Sequence, residues 1–125
     1  MLNQFAGIVT TLLTIYLIPI IVDGAFAKFW GVQPPAAVSP ARFLTSILVA
    51  KIGTAIAMTL LYSYARAAFA PAWWLYALLW WGMFVFGEIG QWLEGKYTAK
   101  EAVAGIISET IYIPLAVFIL TLLMS

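Results

Sequence analysis

The feature that most constrains the fold of this chain is a series of four long apolar segments, separated by short stretches that contain prolines, glycines and charges. A helix rises 1.5 Å per residue, so about 20 residues cross the roughly 30 Å hydrocarbon core of a bilayer. Lipid offers no hydrogen-bond partner to backbone N–H and C=O groups, so such a segment must satisfy them within a helix. We therefore predict an all-α integral membrane protein, a four-transmembrane-helix bundle with up-down topology and short loops.

The predicted bundle is a single transmembrane domain covering residues 1–125, because the chain is too short to hold a second folded unit beside it. Its helices are predicted over about 3–27, 40–66, 71–93 and 99–124. Local signals mark helix ends: Ser39 before Pro40, Pro71, Gly95, and a capping box of Thr98 with Glu101. Residues 31–39 contain two adjacent prolines and form the long predicted loop.

Composition excludes several classes of function. Hydrophobic residues make up 65% of the chain and charged residues 9%, against about a quarter charged in soluble domains, so a soluble fold is excluded. The net charge of +1 provides no basic surface for a phosphate backbone, so nucleic acid is not a predicted partner. The chain has no cysteine and no histidine, which removes thiolate and imidazole metal sites, histidine-ligated haem and Ser-His or Cys-His catalytic pairs. We predict no metal site and no cofactor.

The distribution of basic residues predicts the orientation in the membrane. Lys28, Arg42, Lys96 and Lys100 flank the first and third predicted loops, whereas Arg66 alone flanks the second. Cytoplasmic loops of membrane proteins carry an excess of Lys and Arg, so the first and third loops are predicted to face the cytoplasm. We expect a multi-pass protein of a prokaryotic cell membrane with both termini on the non-cytoplasmic side.

Four ionisable residues fall inside the predicted spans, one in each: Asp23, Lys51, Glu88 and Glu109. Counted along each helix from the nearest basic residue, all four lie in the same half of the bilayer, and the lean of helical side chains brings their tips closer in depth. A charge near the bilayer centre costs at least ~2.5–3.5 kcal/mol, so these side chains are expected to face inward and pair. The sequence predicts that Lys51 contacts a carboxylate inside the membrane and that its charge is compensated by Glu109, Glu88 or both.

Two polar neighbours extend this predicted site. Gln91 lies one turn from Glu88, and Tyr112 lies on the same face of the last helix as Glu109. The predicted ligand- or ion-binding site therefore consists of six residues: Asp23, Lys51, Glu88, Gln91, Glu109 and Tyr112.

Structural roles could also explain these charges. Asp23 could pair with Lys28 at the interface, and Lys51 could extend its stem to the lipid headgroups. Glu88 could pair with Lys96 or with water. A buried ion pair can also fix the register of two helices without any further role. These alternatives remain open at the level of sequence.

Trp80 and Trp81 are predicted near the middle of the membrane instead of at its interfaces, where tryptophan is enriched. Packing of helices against each other or against lipid is one interpretation. The other is a stacking wall for an apolar or cationic ligand beside the polar cluster.

No catalytic motif is present, so function must be inferred from the charged cluster. The first hypothesis is a small polytopic membrane protein whose carboxylate and lysine cluster binds or translocates a cation, a proton or a small ligand. The alternative is a non-catalytic accessory subunit of a larger membrane complex. A lipid-modifying enzyme is a third hypothesis with less support, since no nucleophile or metal set accompanies the acids, and we predict that the protein is not an enzyme. The expected partners are the lipid bilayer and either further copies of this chain or other membrane subunits.

Overall fold

The computed structural model describes residues 2–30, 39–69 and 71–124, without the side chains of Leu2 and Trp30. Its regular structure consists of four helices: α1 (Leu2–Trp30), α2 (Pro40–Phe69), α3 (Trp73–Leu93) and α4 (Ala99–Met124). The described part of the chain is therefore all-helical, as predicted, with each helix close to its predicted range. The predicted loop over residues 31–39 lies outside the described residues except for Ser39.

Three of the four helices are long and apolar enough to cross a membrane, over Asn3–Phe29, Pro40–Phe69 and Ala99–Met124. α3 has 21 residues, which corresponds to about 31 Å of helix. Five of those residues are tryptophan, which lowers the hydropathy of α3 although the ring is largely apolar. A membrane protein with three candidate spans is supported, and the crossing by α3 stays a prediction.

The predicted signals at two helix N-termini are confirmed. Ser39 precedes α2, and its Oγ accepts a hydrogen bond from the backbone N–H of Arg42 at 3.2 Å. Thr98 and Glu101 form the predicted capping box, since each accepts a hydrogen bond from the backbone N–H of the other at 3.2 Å. Caps of this kind satisfy N–H groups that have no partner within the helix.

The end of α3 follows from one glycine. Gly95 has φ of +83°, in the left-handed region that side chains disfavour. Its N–H donates to the Trp92 carbonyl and the N–H of Lys96 donates to the Gln91 carbonyl, both at 3.0 Å. This pair of bonds is the Schellman arrangement, which stops a helix and turns the chain.

The prediction that Pro71 begins α3 is wrong by two residues. α2 continues through a run of good helix formers to Phe69, and Pro71 and Ala72 lie in the turn before α3. Within this turn the N–H of Trp73 donates to the Pro71 carbonyl at 3.0 Å, and Ala72 precedes the helix without a side-chain cap. We call this end of the bundle the α2–α3 end, and the end formed by residues 94–98 the α3–α4 end.

α4 is the central helix of the bundle. It packs most extensively on α1 and α3, while α2 packs mainly on α1 and makes few contacts with α3 or α4. The fully buried side chains come mostly from these interfaces: Thr11, Ile15, Met58, Thr59, Ile113, Val117 and Leu120. Large apolar side chains on the outer surfaces, such as Phe86, are exposed, as expected where lipid covers a helix.

α2 and α3 are held together near their connecting turn. Tyr76 donates a hydrogen bond from its hydroxyl to the Met58 carbonyl. The Tyr76 ring also packs against Tyr62 and Phe69 of α2, with ring centroids 5.3 and 5.4 Å apart. α2 and α3 therefore touch near the α2–α3 end, which leaves the other half of this interface sparsely packed.

Candidate functional site

Two carboxyl groups from neighbouring helices meet inside the bundle. Glu109 of α4 is 5% exposed and Glu88 of α3 is half-buried, and the two carboxyl groups lie within hydrogen-bonding range of each other. Oε2 of each side chain is buried and has no hydrogen-bond partner among the described residues. Two adjacent buried carboxylates repel each other, so this arrangement is compatible with one bound proton and unfavourable with none.

A glycine on α4 allows this close approach. A Cβ atom placed on Gly105 would lie 2.7 Å from Cδ and Oε1 of Glu88 and 2.8 Å from Oε2. The carboxyl group of Glu88 therefore lies directly against the backbone of α4, one turn before Glu109. Ser108 lies beside the pair in sequence and is 2% exposed, and its Oγ also has no partner among the described residues.

Lys51 of α2 is half-buried and makes its contacts with aromatic side chains of α3 and α4. Its ammonium group donates a hydrogen bond to the Tyr112 hydroxyl with an N–O distance of 3.0 Å. The same nitrogen lies 4.6 Å from the centroid of the Tyr112 ring and 5.6 Å from that of Phe84, so two aromatic rings stabilise the cation. Tyr112 lies seven residues beyond Gly105 on α4, about 10 Å along the helix axis.

The predicted direct contact of Lys51 with Glu109 or Glu88 is not formed. The part of the chain that the structure describes contains one ion pair shorter than 4.0 Å. It joins Lys96 and Glu94, with an N–O distance of 3.2 Å. Lys51 nevertheless interacts electrostatically with both carboxylates, more strongly with Glu109 than with Glu88. The ammonium instead contacts the Tyr112 hydroxyl at 3.0 Å, and neither carboxylate lies within 4.0 Å of it. The alternative pairing of Glu88 with Lys96 is not formed either.

Asp23 is the most accessible acid of the predicted site. It lies on α1 with an exposed side chain, within electrostatic range of Glu88 and Lys51. Gly7 of α1 packs against Leu120 of α4, and an antiparallel pair in this register places Asp23 near the level of Gly105. Asp23 therefore extends the cluster to the surface of the bundle.

The structure brings five of the six predicted site residues into one electrostatically linked cluster: Asp23, Lys51, Glu88, Glu109 and Tyr112. Gln91 is half-buried on α3, and no described contact joins its side chain to the others. Gly105 and Ser108 share the predicted inward face of α4 with Glu109 and Tyr112 but were not included in the predicted site. Phe84 was missed, although a helical-face count places it one turn before Glu88.

Tyr97 lies at the α3–α4 end of this cluster. It is half-buried between α3 and α4, within electrostatic range of Glu88, Glu101 and Asp23. Burial raises the pKa of the Tyr97 phenol, and the negative charge of Glu88 raises this pKa further. Tyr97 therefore keeps its proton near neutral pH and can act as a neutral hydrogen-bond donor close to the acids.

The two tryptophans near the middle of α3 serve packing. Trp81 donates from Nε1 to Oγ1 of Thr110 at 2.9 Å, which links α3 to α4. Trp80 packs edge-on between Tyr76 and Phe84, with ring centroids 6.4 and 5.9 Å away. These contacts favour the packing interpretation over a stacking wall for a ligand.

Among the described residues, no group of three acidic, histidine or cysteine side chains is placed to hold a metal ion. Two carboxyl groups in mutual contact, by contrast, are a well-known way to bind one proton. Comparison with known proteins adds no assignment, since no family model, curated protein or solved structure matches this chain.

Proposed function

We propose that this chain is a four-span membrane protein that binds a proton at the Glu88–Glu109 pair and uses this site to move a proton, or a cation or small ligand coupled to it, across the membrane. The observation that carries the proposal is that two carboxyl groups lie together inside the bundle, each with a buried oxygen that has no hydrogen-bond partner among the described residues. Both groups charged would be costly in apolar surroundings, whereas one shared proton removes half of the charge.

Polar side chains continue from this pair along the bundle. Beyond the Lys51–Tyr112 contact, Thr59 donates a hydrogen bond to the Thr11 hydroxyl at 3.5 Å, and both side chains are fully buried. One turn further, Gln4 donates from Nε2 to the Ser63 hydroxyl at 2.8 Å. Together with Asp23 and Tyr97 at the other end, these groups supply hydrogen-bonding sites at several depths, as a translocation path requires.

Infrared difference spectroscopy tests proton binding directly. Purified protein in metal-free buffer should give a protonated-carboxyl band that persists at neutral pH during a titration from about pH 4 to about pH 9. Both Glu109→Gln and Glu88→Gln should abolish that band. Glu94→Gln is the matched control, because Glu94 is an exposed acid paired with Lys96 at the surface. A wild-type spectrum without the band at neutral pH would refute proton binding at the pair.

Reconstitution tests translocation. The internal pH of proteoliposomes that contain a pH-sensitive dye should change when a pH gradient is imposed. Glu109→Gln should reduce the rate of this pH change at least tenfold, while Glu94→Gln leaves the rate unchanged. Equal rates for empty liposomes and wild-type proteoliposomes would contradict the transport of protons alone.

A specific observation favours an accessory subunit as the second candidate function. Asp23 lies inside a candidate span, yet its side chain is exposed on the bundle surface. A charge facing lipid is expensive, so another copy of this chain or a different membrane subunit is expected to cover this position. Native mass spectrometry of the protein from its source membrane would distinguish an accessory subunit from a protein that acts without other chains. A subunit should be detected in complexes with larger proteins at a fixed stoichiometry.

The remaining parts of the proposal concern placement. We propose that α3 also spans the membrane, because its length matches the hydrocarbon thickness and its tryptophans concentrate at the helix ends and the packed face. We also propose a prokaryotic cell membrane as the location, with both termini on the non-cytoplasmic side. Catalysis is not proposed, although the acid pair leaves a lipid-modifying activity as a weaker candidate.

A further inference from the structure

A separate pocket opens at the α2–α3 end of the bundle, far from the acid pair. Its volume is about 380 Å³, within the range of small-ligand pockets. Its walls come from three helices and from the turn between α2 and α3, and include Tyr62, Arg66, Phe69, Trp73, Thr121 and Met124. Most of this lining is apolar and aromatic, and one side chain, Arg66, is charged.

Arg66 has no acidic side chain of this chain nearby. The five acidic residues of the sequence are Asp23, Glu88, Glu94, Glu101 and Glu109. The nearest of these along α3 is Glu88, which lies 15 residues from Trp73 and therefore about 22 Å away along the helix axis. The positive charge at the pocket is thus available to an anion that comes from outside the described chain.

The N-terminus of α3 adds a second attraction for anions at the same place. Pro71 and Trp73 line the pocket, and no side chain caps this N-terminus. The N–H groups of Trp73 and Leu75 donate to the Pro71 and Ala72 carbonyls, but the start of a helix carries a partial positive charge that attracts phosphate. Arg66 and the start of α3 therefore both line this pocket, together with apolar side chains.

The membrane placement proposed above puts this pocket at a bilayer interface, where lipid headgroups and acyl chains meet. Tryptophan and tyrosine are enriched at that depth, and Trp73, Trp74 and Tyr64 all lie at this end of the bundle. A ligand there would place a negative headgroup at Arg66 and an apolar chain along Phe69 and Met124. A small hydrophilic anion would leave the apolar walls without a partner.

We propose that this pocket is a binding site for an anionic phospholipid, with the phosphate at Arg66 and the N-terminus of α3 and an acyl chain against the aromatic walls. The proposal depends on the membrane placement and is independent of proton binding at the acid pair. Its role would be to hold α2, α3 and α4 together at the end where the three helices converge.

Native mass spectrometry of delipidated protein in detergent tests this site with two probes, dioleoyl phosphatidylglycerol and dioleoyl phosphatidylcholine. The wild type should bind the anionic lipid about fivefold more tightly, the ratio expected for one basic residue meeting an anionic headgroup. Arg66→Gln should remove this preference. Arg42→Gln is the matched control, because it deletes the same charge at the N-terminal end of α2 and should keep the preference. Equal binding of the two lipids by the wild type, or equal loss in both variants, would overturn the proposal.

A second variant keeps the charge and fills the space. Thr121→Trp should place a large ring in the pocket, so it should weaken phosphatidylglycerol binding while Arg66 remains, with helix content checked by circular dichroism. Inorganic phosphate at the same concentration as the lipid should not displace bound phosphatidylglycerol. Full displacement would assign the site to a free anion instead. The protonated-carboxyl band of Arg66→Gln should match that of the wild type, so failure at the lipid site is distinguishable from failure at the acid pair.

Discussion

At the scale of single residues, Gly105 decides how closely α3 and α4 can bring their acids together. Its missing side chain leaves the space that the Glu88 carboxyl group occupies. Any larger residue on this face of α4 would compete with that carboxyl group for the same volume, because packed interiors have no spare space of this size. The close approach of Glu88 and Glu109 therefore depends on a residue that has no side chain.

Gly105→Ala should separate the two carboxyl groups. A Cβ at 2.7–2.8 Å from three atoms of Glu88 forces that side chain to move, so we expect the protonated-carboxyl band at neutral pH to weaken or shift. Gly90→Ala is the control on α3, because a Cβ there would meet nothing within 4 Å. The control should keep the band and could stabilise α3 by up to about 1 kcal/mol through helix propensity. An unchanged band in Gly105→Ala would contradict the positioning role.

Lys51 and Tyr112 should behave as a coupled pair in stability measurements. A hydrogen bond to a charged group contributes about 1.5–3 kcal/mol, so Lys51→Met and Tyr112→Phe should each lower the free energy of unfolding. The double variant should lose less than the sum, with a coupling energy of about 1 kcal/mol or more, measured by reversible unfolding in mixed detergent micelles. Strictly additive losses would show that the 3.0 Å contact is not energetically significant.

Sequence reasoning found the charged residues of the site but not their partners. Spacing along a helix gives depth, and depth alone predicted that Asp23, Glu88 and Glu109 lie at the level of Lys51. The partner of each charge depends on rotation about the helix axis, which four weakly amphipathic helices leave undefined because apolar side chains surround each of them. For this reason the contact of Glu88 with Glu109 and the contact of Lys51 with Tyr112 required the structure.

At the scale of helices, close packing near the N-terminus of α1 fixes how three helices meet. A Cβ on Gly7 would lie 2.9 Å from Thr59 of α2 and 3.0 and 3.2 Å from Leu120 and Met124 of α4. Small residues allow helix backbones to approach closely where lipid provides no hydrophobic driving force. Gly7 therefore sets the separation of α1 from both of its neighbours.

Gly7→Leu should destabilise the bundle by about 1–3 kcal/mol, the usual cost of overpacking an interior. Gly24→Leu on the same helix is the control, because nothing lies within 4 Å of a Cβ at that position. The measurement is the midpoint of unfolding in mixed micelles, which should fall for Gly7→Leu and change little for Gly24→Leu. Equal shifts in both variants would mean that the three-helix contact at Gly7 does not limit stability.

Helix ends were the most predictable part of the fold, because each depends on a few adjacent residues. The caps at Ser39 and Thr98 and the stop at Gly95 follow from local hydrogen bonds that sequence specifies. The predicted start of α3 was two residues too early. The residues up to Phe69 favour a helix, so α2 extends to Phe69 and α3 begins at Trp73.

At the scale of the whole molecule, the polar path predicts that proton binding and proton transfer can be separated. Thr59→Val removes the hydroxyl that bonds to Thr11 and leaves the side-chain volume almost unchanged. We expect the rate of proton flux in proteoliposomes to fall severalfold while the infrared band of the acid pair stays as in the wild type. Thr45→Val, an exposed position on the same helix, should leave both unchanged. Normal flux in Thr59→Val would exclude this hydroxyl from the path.

The orientation of the bundle is open to a direct measurement. The chain contains no cysteine, so Asn3→Cys and Glu94→Cys each introduce a single exposed thiol, at opposite ends of the bundle. In intact cells a membrane-impermeant thiol reagent should label the cysteine at position 3 and not the one at position 94. The reverse pattern would place both termini in the cytoplasm.

The arrangement of helices around the bundle was beyond sequence reasoning. Hydropathy and length predict how many helices form, and the loops predict that neighbours in sequence are antiparallel. They do not indicate that α4 packs between α1 and α3, or that α2 touches α3 so little. Those choices depend on the fit of small and large side chains, such as Gly7 against Leu120, across surfaces that are all apolar.

The central position of α4 has a consequence for the order of assembly during synthesis. α4 is the last of the four helices to leave the ribosome, yet the two most extensive helix interfaces, those of α1 and of α3, are formed with α4. A nascent chain that has inserted only α1, α2 and α3 lacks the helix against which the Glu88 carboxyl group packs, so this acid enters the membrane with its neighbour still absent. We expect this intermediate to remain open to membrane chaperones and proteases until α4 arrives, so that completion of the last helix acts as a quality checkpoint for the entire chain.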